Sequence, residues 1–511
     1  MARPAIVFIG FMGAGKSTAL AAAREAGLET TEIDELMEAE LGKPIRQAFE
    51  EDGEEAFRAR EAEVVGELLE KADGGAIALG GGSILSERVR EALDRHTVVL
   101  LEIDAAEAWK RIEGTERPLA TSEADVERLL AERLPLYEEL ADAVIPMADE
   151  GVVARALPAI RALAEMPEGI RLLWASSASG DYPVFVGSGL LEAGWWPLGG
   201  EQFLIADTAT ADLIGRARLE SFAGIAANIH GEQTKNLTQV EQVLESMAAA
   251  GITREDHVVA FGGGVVGDIA GFCAHVYQRG VPVVQVPTSL VAQVDSAYGG
   301  KTGVDLKQGK NYAGAYHLPA AVLTDVGYLN ELPREELAAG FVEALKTGLL
   351  AGGPLWERVG SLEVLVPDEL DDIVFACARY KCAVVAADER DAGLRHVLNL
   401  GHTVGHGIET ASNYKRYRHG EAIGLGLLAA LRLSDAQDLR NEVAEILRRH
   451  ELPTKLDSDI GVDDILDALE RDKKRTAAGV GFVLLSEPGK PRTGEIIDPD
   501  KVREAVKELY P

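Results

Sequence analysis

The segment GFMGAGKST, Gly10 to Thr18, constrains the fold of this chain more than any other stretch. It fits the pattern G-x-x-x-x-G-K-[ST], follows the apolar run AIVFI at residues 5–9 and precedes a helical pattern. Backbone N–H groups of such a loop point at nucleotide phosphates, the lysine reaches the β and γ phosphates, and the hydroxyl can ligate Mg²⁺. The motif predicts a parallel α/β domain whose nucleotide-binding residues are Gly13, Ala14, Gly15, Lys16, Ser17 and Thr18, with Ser17 on Mg²⁺.

Apolar runs alternate with charge-rich helical segments along much of the chain. AIALG (76–80) and TVVLLEI (97–103) continue the first part, and QFLIADT, HVVAFGGG and VPVVQVPTS supply strands to a second. This rhythm is typical of βαβ units and a parallel sheet. Pro167 and Gly169 interrupt the periodicity, and beyond residue 334 the pattern is mainly helical. Because 511 residues are too many for one core, we predict parts at 1–167, 171–330 and 331–511.

Composition excludes several functional classes. The formal charge of −33 repels nucleic acid and anionic membranes, so no partner of either kind is expected. Three cysteines without a Cys-x-x-Cys pair argue against a disulfide framework and fit a reducing compartment. The apolar run at residues 422–431 is far shorter than the roughly 20 residues that a membrane span needs. We therefore predict a cytoplasmic protein whose partners are small-molecule substrates.

Histidines are concentrated in one region, since four of the ten lie between residues 396 and 419. His402, His406 and His419, with an acidic residue such as Glu343, supply donors suited to Zn²⁺. The alternative is that a helix merely carries His402 and His406 at i, i+4 beside other helices. Lysines and an arginine in apolar or glycine-rich segments suggest a polyanionic ligand, although scattered surface cations are the usual case. These cations are Lys301, Lys310, Lys346, Lys381 and Arg395.

The segment FGGGVVGD, Phe261 to Asp268, again follows an apolar run. Glycines there allow a dinucleotide to approach the backbone, but the same cluster also suits a tight strand-to-helix turn. By itself it is a weak sign of NAD binding.

The N-terminal part carries further motifs besides the glycine loop: EIDELMEAELGKPI (32–45), FRARE (57–61), GGG (80–82), ERPL (116–119) and ERLPLYEELAD (132–142). With these motifs it resembles shikimate kinase over essentially its whole length. The resemblance implies ATP as phosphoryl donor, Asp34 as the group that orients and deprotonates the acceptor hydroxyl, and Arg117 as a lid arginine over the phosphates. It implies shikimate binding by Asp34, Arg58, Gly80, Gly81, Gly82 and Arg133. The family's Asp-x-Asp is replaced here by Glu32-Ile33-Asp34.

The rest of the chain carries QVPTSLVAQVDSAYGGKTGVD (285–305), GKNYAGAYH (309–317), GFVEALK (340–346), KCAVVAADER (381–390), RHVLNLGHTVGHGIE (395–409) and RHGEA (418–422). From about residue 171 it resembles 3-dehydroquinate synthase. The resemblance implies Zn²⁺ or Co²⁺ ligation by Glu343, His402 and His419. It implies NAD binding by Asp207, Glu232, Lys235, Gly263, Gly264, Asp268, Thr288 and Ser289. It implies keto-acid phosphate binding by Asp295, Lys301, Lys310, Asn311, Lys346, Lys381, Arg395, Asn399 and His406, with Arg279 nearby. Lys301, Arg395 and His406 take catalytic roles.

The two resemblances together imply a bifunctional enzyme of aromatic amino acid (chorismate) biosynthesis and a homodimer through the synthase region. One activity phosphorylates shikimate with ATP and Mg²⁺. The other cyclises 3-deoxy-D-arabino-heptulosonate 7-phosphate to 3-dehydroquinate, using NAD and a metal, by transient oxidation, phosphate loss, re-reduction, ring opening and aldol closure. The alternatives are another sugar-phosphate cyclase, a metal-dependent polyol dehydrogenase, an N-terminal nucleotide sensor that regulates its neighbour, and non-enzymatic scaffolding.

Overall fold

The computed structural model describes residues 3–113, 122–215, 222–473 and 481–511. Contacts divide the chain into two compact units. The first comprises Met1–Ser176 and Pro183–Phe185, and the second comprises Ser177–Tyr182 and Val186–Pro511. The predicted boundary at residue 167 falls in the connection between a helix that ends at Leu163 and a strand that begins at Arg171.

The first unit is a parallel sheet flanked by helices. Its strands are β1 (Ile6–Ile9), β2 (Thr30–Glu32), β3 (Ala76–Ala78), β4 (Thr97–Glu102), β5 (Ala143–Pro146) and β6 (Arg171–Ser177, whose last residue belongs to the second unit). Its helices are α1 (Lys16–Glu25), α2 (Ile33–Leu41), α3 (Ile45–Asp52), α4 (Glu54–Lys71), α5 (Glu87–Leu93), α6 (Ala105–Ile112), α7 (Glu123–Leu140) and α8 (Val152–Leu163). The strands pair in the order β2–β3–β1–β4–β5–β6, all parallel. All four residues of β1 are buried, as expected of a strand that is covered on both faces.

The turn between β1 and α1 depends on glycine. Gly10 has φ 147°, and a Cβ there would lie 2.6 Å from the carbonyl oxygen of Leu101 on β4. Gly15, which directly precedes α1, has φ 87°. Side chains at these two positions would strain the backbone. The loop is thereby held at the carboxyl end of β1, where α1 begins.

The second unit also begins as an α/β structure. Its strands are β7 (Gly180–Gly187, with residues in both units), β8 (Gln202–Asp207), β9 (Phe222–Ile229), β10 (His257–Gly262), β11 (Val283–Pro287), β12 (Lys301–Leu306), β13 (Gly309–Tyr316), β14 (Ala321–Asp325), β15 (Phe482–Leu485) and β16 (Pro491–Glu495). Strands β9–β8–β10–β11–β14 form a parallel sheet, in that order. Two antiparallel pairs, β12–β13 and β15–β16, stand apart from it. The three predicted strands of this part, β8, β10 and β11, are confirmed, whereas β7, β9, β12, β13, β14, β15 and β16 were not predicted.

Helices dominate from Arg334 onward, as predicted. The helices of the second unit are α9 (Leu237–Ala249), α10 (Gly264–Val276), α11 (Arg334–Ala351), α12 (Gly353–Ser361), α13 (Pro367–Ala387), α14 (His402–Ala411), α15 (His419–Leu433), α16 (Gln437–Arg449), α17 (Val462–Lys473) and α18 (Pro499–Lys507). Every side of α11 is buried from Leu337 to Leu350, so it is the central helix of this part. Among the described residues, no helix combines the length and the apolar character that a membrane span requires.

Candidate active sites

The lysine of the phosphate loop in the first unit forms hydrogen bonds with the backbone of the same loop. Lys16 Nζ donates hydrogen bonds to the carbonyl oxygens of Gly10 at 2.8 Å and Phe11 at 3.1 Å. Ser17 Oγ donates to Glu32 Oε1 at 2.5 Å, so the longer side chain at position 32 reaches the hydroxyl that is expected to hold Mg²⁺. Ser17 and Thr18 are exposed at the start of α1. The loop therefore presents a helix N-terminus, a lysine and a pair of oxygen donors to one region.

Arg58 and the predicted glycine strip Gly80–Gly82 lie together. Arg58 Nη1 donates to Glu61 Oε2 at 2.6 Å, and the buried Ser83 Oγ donates to Glu61 Oε1 at 2.8 Å. A Cβ at Gly82 would lie 2.5 Å from the Arg58 guanidinium. A side chain at position 82 would displace Arg58, so glycine at this position leaves space for the guanidinium group.

Arg133 and Asp34 approach the same strip from two other elements. Arg133, buried on α7, donates from Nη1 to the carbonyl oxygen of Gly81 at 3.2 Å. Tyr137 Oη donates to the same oxygen at 2.6 Å, and burial raises the pKa of this phenol to about 12. A Cβ at Gly80 would lie 3.4 Å from Asp34 Oδ1. The structure thus brings together a carboxylate, two guanidinium groups and a strip without side chains, while Arg117 lies outside the described residues.

In the second unit, predicted NAD residues lie along the carboxyl edge of three neighbouring strands. Asp207 ends β8, Gly263 follows β10, and Thr288 follows β11. The backbone N–H of Thr288 donates to the carbonyl oxygen of Gly262 at 3.0 Å. Gly264 begins α10, and a Cβ there would lie 3.0 Å from Ser296 Oγ. This edge of a parallel sheet, at a glycine-rich helix N-terminus, is where α/β proteins bind dinucleotides.

The remaining residues of this set lie beside that edge. Lys235 is buried, and its Nζ lies 2.5 Å from Asp268 Oδ2. Burial raises the pKa of Asp268, although Lys235 opposes the shift. Glu232 lies on the 3₁₀ turn before Lys235, and a Cβ at Gly263 would lie 3.1 Å from Ser289 Oγ. All eight predicted residues therefore lie on or beside this edge.

A cleft of about 540 Å³ adjoins this edge. Its described lining includes the predicted metal ligands and most of the predicted substrate residues: Asp295, Lys301, Asn311, Glu343, Lys346, Lys381, Arg395, Asn399, His402, His406 and His419. Lys310 and Arg279 are not among the described lining residues. Arg279 lies exposed on the turn after α10, with φ 71°.

Three side chains in the cleft are arranged as metal donors. Glu343 Oε1 on α11 lies 3.5 Å from His402 Nε2, at the start of α14, and 3.3 Å from His419 Nε2, at the start of α15. Glu343 is 1% exposed, and neither of its carboxylate oxygens accepts a well-aligned hydrogen bond from the described residues, although Lys346 Nζ lies 2.6 Å from Oε2. A buried carboxylate without proper partners is costly, so the site fits a cation at this point.

The pKa values of these groups follow from burial and from their charged neighbours. Burial opposes ionisation of Glu343, but Lys346 and the two histidines hold its pKa well below the usual range. Burial lowers the pKa of His402 to about 3. His419 behaves differently, since its carboxylate partners outweigh burial and raise its pKa to about 10. His402 and Glu343 are in the protonation states that metal binding needs, whereas His419 must release a proton when a metal binds.

Asp295 connects two buried lysines. Lys346 Nζ lies 2.8 Å from Asp295 Oδ2, and Lys381 pairs with Oδ1 of the same carboxylate. Burial alone would raise the pKa of Asp295, but the two ammonium groups hold it below the usual range. Burial lowers the pKa of Lys381, whereas for Lys346 the effect of burial is outweighed by Asp295 and Glu343, and its pKa is raised. The ammonium groups of Lys346 and Lys381 are therefore paired with buried carboxylates.

Arg395 and Lys301 contribute from two other segments. Arg395 is buried and donates from Nη1 to the carbonyl oxygens of Gly299 at 3.2 Å and Glu389 at 2.9 Å. Its Nε is buried without a partner among the described residues. Lys301, 49% exposed at the start of β12, pairs with Asp391. One buried and one exposed cation thus face the cleft. Asn311 and Asn399 are both exposed, and Asn311 has φ 55°.

Glu409 was missed by sequence reasoning. It lies on α14 seven residues after His402 and three after His406, so the three positions share one helix face. Glu409 Oε1 lies 3.4 Å from His419 Nδ1 and 3.6 Å from Lys310 Nζ. Burial would raise the pKa of Glu409, but these cationic neighbours lower it to about 2. The i, i+4, i+7 spacing within GHTVGHGIE could have identified it. Glu61, three residues after Arg58, carries the same kind of signal.

Comparisons with family models divide the chain in the same way. Residues 12–161 match the model described as shikimate kinase. Residues 226–339 match 3-dehydroquinate synthase N-terminal, and residues 340–475 match 3-dehydroquinate synthase C-terminal. Each unit of the structure thus contains the match of one family.

Individual proteins agree with these matches. A 3-dehydroquinate synthase of Symbiobacterium thermophilum is 40% identical over 350 residues, covering 64% of this chain and 98% of that protein. The 3-dehydroquinate synthase of Halorhodospira halophila is 38% identical over 339 residues, covering 63% and 94%. A crystal structure of 2-deoxy-scyllo-inosose synthase complexed with carbaglucose-6-phosphate, NAD⁺ and Co²⁺ is 26% identical, with a TM-score of 0.59, covering 66% of this chain and 99% of that one.

Proposed function

Because this chain belongs to the 3-dehydroquinate synthase family and carries a shikimate kinase unit before it, it is a bifunctional enzyme of the shikimate pathway, and we propose that each activity uses the residues that its own unit assembles. Function is argued from sites rather than from folds. In both units the predicted residues converge from separate elements. The convergence of Glu343, His402 and His419 within 4.8 Å is the observation that carries the synthase assignment.

In the kinase unit, Arg58 and Arg133 bind the carboxylate of shikimate, since guanidinium forks suit carboxylates. Asp34 orients the acceptor hydroxyl and accepts its proton. Lys16 exchanges its two carbonyl partners for phosphate oxygens when ATP binds. Ser17 and Glu32 offer the oxygen donors that Mg²⁺ prefers. Arg117 remains the proposed lid arginine on the resemblance alone.

In the synthase unit, Glu343, His402 and His419 hold Zn²⁺ or Co²⁺, and the residues along the edge of β8, β10 and β11 hold NAD. When bound, the metal acts as a Lewis acid toward a substrate oxygen, and NAD takes up and returns the reducing equivalents. Because only three protein donors would hold the metal, a substrate oxygen could serve as a further ligand. The approach of both histidine nitrogens to Glu343 Oε1 supports the metal, and the glycines at Gly263 and Gly264 support the dinucleotide.

The charge of the cleft favours a polyanionic substrate. Its described lining contains four cationic side chains, Lys301, Lys346, Lys381 and Arg395, and three carboxylates, Asp268, Asp295 and Glu343. This leaves one net positive charge, and a divalent metal raises it by two. A substrate with one carboxylate and a phosphate of about −1.5 to −2 nearly cancels that total. The keto-acid phosphate therefore fits the cleft electrostatically.

The other side chains divide between binding and proton transfer. Arg395 presents its unpartnered Nε to an anionic group, and Lys346 and Lys381 hold further substrate oxygens in place. His406 is 55% exposed, and its ring centroid lies 5.2 Å from that of His402. It is therefore positioned to exchange a proton beside the metal site without occupying it. Lys301, Asn311 and Asn399 line the exposed side of the cleft.

Assembly is proposed from the resemblance alone. A homodimer through the synthase unit is expected to show about twice the chain mass of 54.6 kDa. Light scattering at several protein concentrations measures this directly, and a constant monomer mass would contradict it. The cytoplasmic location stays a prediction.

Two variants, each measured for both activities, test the division of labour. Lys16→Ala should abolish phosphorylation of shikimate while cyclisation stays within about twofold, an effect below roughly 0.5 kcal/mol. Glu343→Gln should abolish cyclisation and spare the kinase. Phosphate release from the keto-acid phosphate and ADP formation with shikimate are the readouts, and thermal melting checks folding. If folded Lys16→Ala also loses tenfold in cyclisation, the first unit acts as a nucleotide sensor for the second.

A further inference from the structure

Two overlapping groups of possible metal donors share His419. One is Glu343, His402 and His419, and the other is His406, Glu409 and His419. The groups use opposite nitrogens of the shared ring, since Nε2 of His419 faces Glu343 at 3.3 Å and Nδ1 faces Glu409 at 3.4 Å. If one metal is bound, the second group has a different task.

Burial and donor distances distinguish the groups. Glu343 Oε1 lies within 3.5 Å of both histidine nitrogens of its group, and Glu343 and His402 are 1% and 14% exposed. Glu409 is also deep in the protein, at 4% exposure, but its partner His406 is 55% exposed and lies 4.0 Å away. Each carboxylate has one ammonium beside it, Lys346 for Glu343 and Lys310 for Glu409. The first group is therefore the more compact and enclosed of the two, and the better metal site.

We propose that Glu409 is a positioning residue for the metal site: its carboxylate accepts a hydrogen bond from Nδ1–H of His419, which leaves Nε2 unprotonated and directed at the metal. This inference rests on the proposed metal site and names a residue outside it. Ligating histidines usually donate their second N–H to a carboxylate or carbonyl, which fixes both the tautomer and the ring orientation. The carboxylate is itself held, because α14 carries both His402 and Glu409 on one rigid face.

Lys310 completes the arrangement. Its Nζ lies 3.2 Å from Glu232 Oε1 and 4.4 Å from the centroid of the Tyr414 ring, in addition to its contact with Glu409. The ammonium therefore balances the charge of Glu409 at Oε1, the oxygen that also faces His419. This gives Lys310, predicted from the resemblance to contact substrate, a role in holding Glu409. Glu232 shares Lys310 but does not share His419, which makes it a matched control.

Metal affinity tests the proposal without using turnover. Metal-free full-length protein is titrated with Zn²⁺ against a chromophoric chelator, and with Co²⁺ while its visible spectrum reports coordination geometry. Glu409→Met, which removes the acceptor at similar volume, should weaken Zn²⁺ binding about 10- to 100-fold and alter the Co²⁺ spectrum. Glu409→Gln retains an amide oxygen and should weaken it less, but by more than twofold. Glu232→Gln should stay within about twofold for the metal.

The outcomes distinguish a failure of the proposed metal site from a failure of the positioning role of Glu409. His402→Ala should lose tight metal binding, and if it does not, the proposed metal site itself is wrong. If His402→Ala loses the metal but both Glu409 variants bind it like the parent, only the positioning role fails. Two metals per parent chain, with one lost in Glu409→Met, would make Glu409 a ligand instead. Thermal melting serves as the folding check, because Glu232 is itself proposed to bind NAD, and if Glu409→Met fails the check, Glu409→Gln decides.

Discussion

Lys16 and Arg133 of the kinase site are held differently from Lys346 and Lys381 of the synthase site. In the kinase unit, Lys16 donates to two backbone carbonyls and Arg133 to a third. In the synthase unit, Lys346 and Lys381 share the carboxylate of Asp295. When a cation leaves a neutral carbonyl oxygen to bind an incoming anion, no uncompensated charge remains at the carbonyl. Interlocked buried charges behave otherwise, because removing one partner leaves the other uncompensated in a medium of low polarity.

This difference teaches how each unit responds to the loss of a charged side chain. The kinase loop satisfies its lysine through the carbonyl oxygens of Gly10 and Phe11. The synthase cleft compensates most of its buried charge but leaves the oxygens of Glu343 without well-aligned partners. We therefore expect substitutions in the kinase site to change ligand binding, and substitutions in the synthase site to change stability and metal content as well.

The largest expected effect concerns the two histidines of α14. His402→Ala should lose bound metal and cyclisation together, because it removes one of three ligands. His406→Ala should retain one metal per chain with reduced turnover, since its ring lies beside the cluster. Metal analysis of the purified variants, combined with phosphate release, checks this. Equal metal content in both variants would contradict the assignment of His402 as a metal ligand and His406 as a neighbouring residue.

Asp295→Asn should have the next largest effect. It leaves Lys346 and Lys381 facing a neutral amide, which should cost about 3–5 kcal/mol in the free energy of unfolding of the synthase unit. Asp391→Asn is the control, since its partner Lys301 is 49% exposed and such pairs contribute about 0–1 kcal/mol. Urea dependence of hydrogen exchange in α11 and α13 measures both. If Asp295→Asn lowers the free energy of unfolding by less than 1 kcal/mol, the proposed difference between cations paired with carboxylates and cations held by carbonyl oxygens is wrong.

Arg133→Ala should raise the apparent KM for shikimate without much change for ATP. One hydrogen bond to a charged group contributes about 1.5–3 kcal/mol, which corresponds to roughly 10- to 100-fold. The stability of the kinase unit should fall much less than in Asp295→Asn, because the carbonyl oxygen of Gly81 keeps Tyr137 as a hydrogen-bond donor. Steady-state kinetics with each substrate varied in turn provide the measurement. A defect confined to ATP would place Arg133 outside the acceptor site.

The smallest effect concerns Glu32. Glu32→Asp shortens the side chain that now reaches Ser17 Oγ at 2.5 Å, so the hydroxyl should lose this contact. One such hydrogen bond contributes about 0.5–1.5 kcal/mol, and the Mg²⁺ concentration for half-maximal phosphorylation should rise about 2- to 10-fold. Titration of kinase rate with Mg²⁺ at fixed ATP tests this. An unchanged or lower requirement would show that the longer acid confers no advantage at this position.

Much of the architecture was predictable from local pattern. The buried strands β8, β10 and β11 were predicted as continuous apolar runs, and the change to helices occurs at Arg334 as expected. Strand β9 was missed because its burial alternates irregularly, and the β12–β13 hairpin because its glycines and lysines do not follow a strand period. Local periodicity carries little information about strands that are only partly covered.

Residue types and their spacing determined which chemistry this chain can perform. The glycine loop required a strand, a turn and a helix around Lys16, and the His402 to Glu409 spacing placed three donors on one helix face. Only the tertiary structure decided which groups meet, because Glu343 and His419 lie on other helices and Lys310 on a hairpin. It also decided that Lys310 lies between Glu232 and Glu409. Charge and periodicity act over a few residues along the chain, whereas compensation of buried charges depends on distances that exist only after folding.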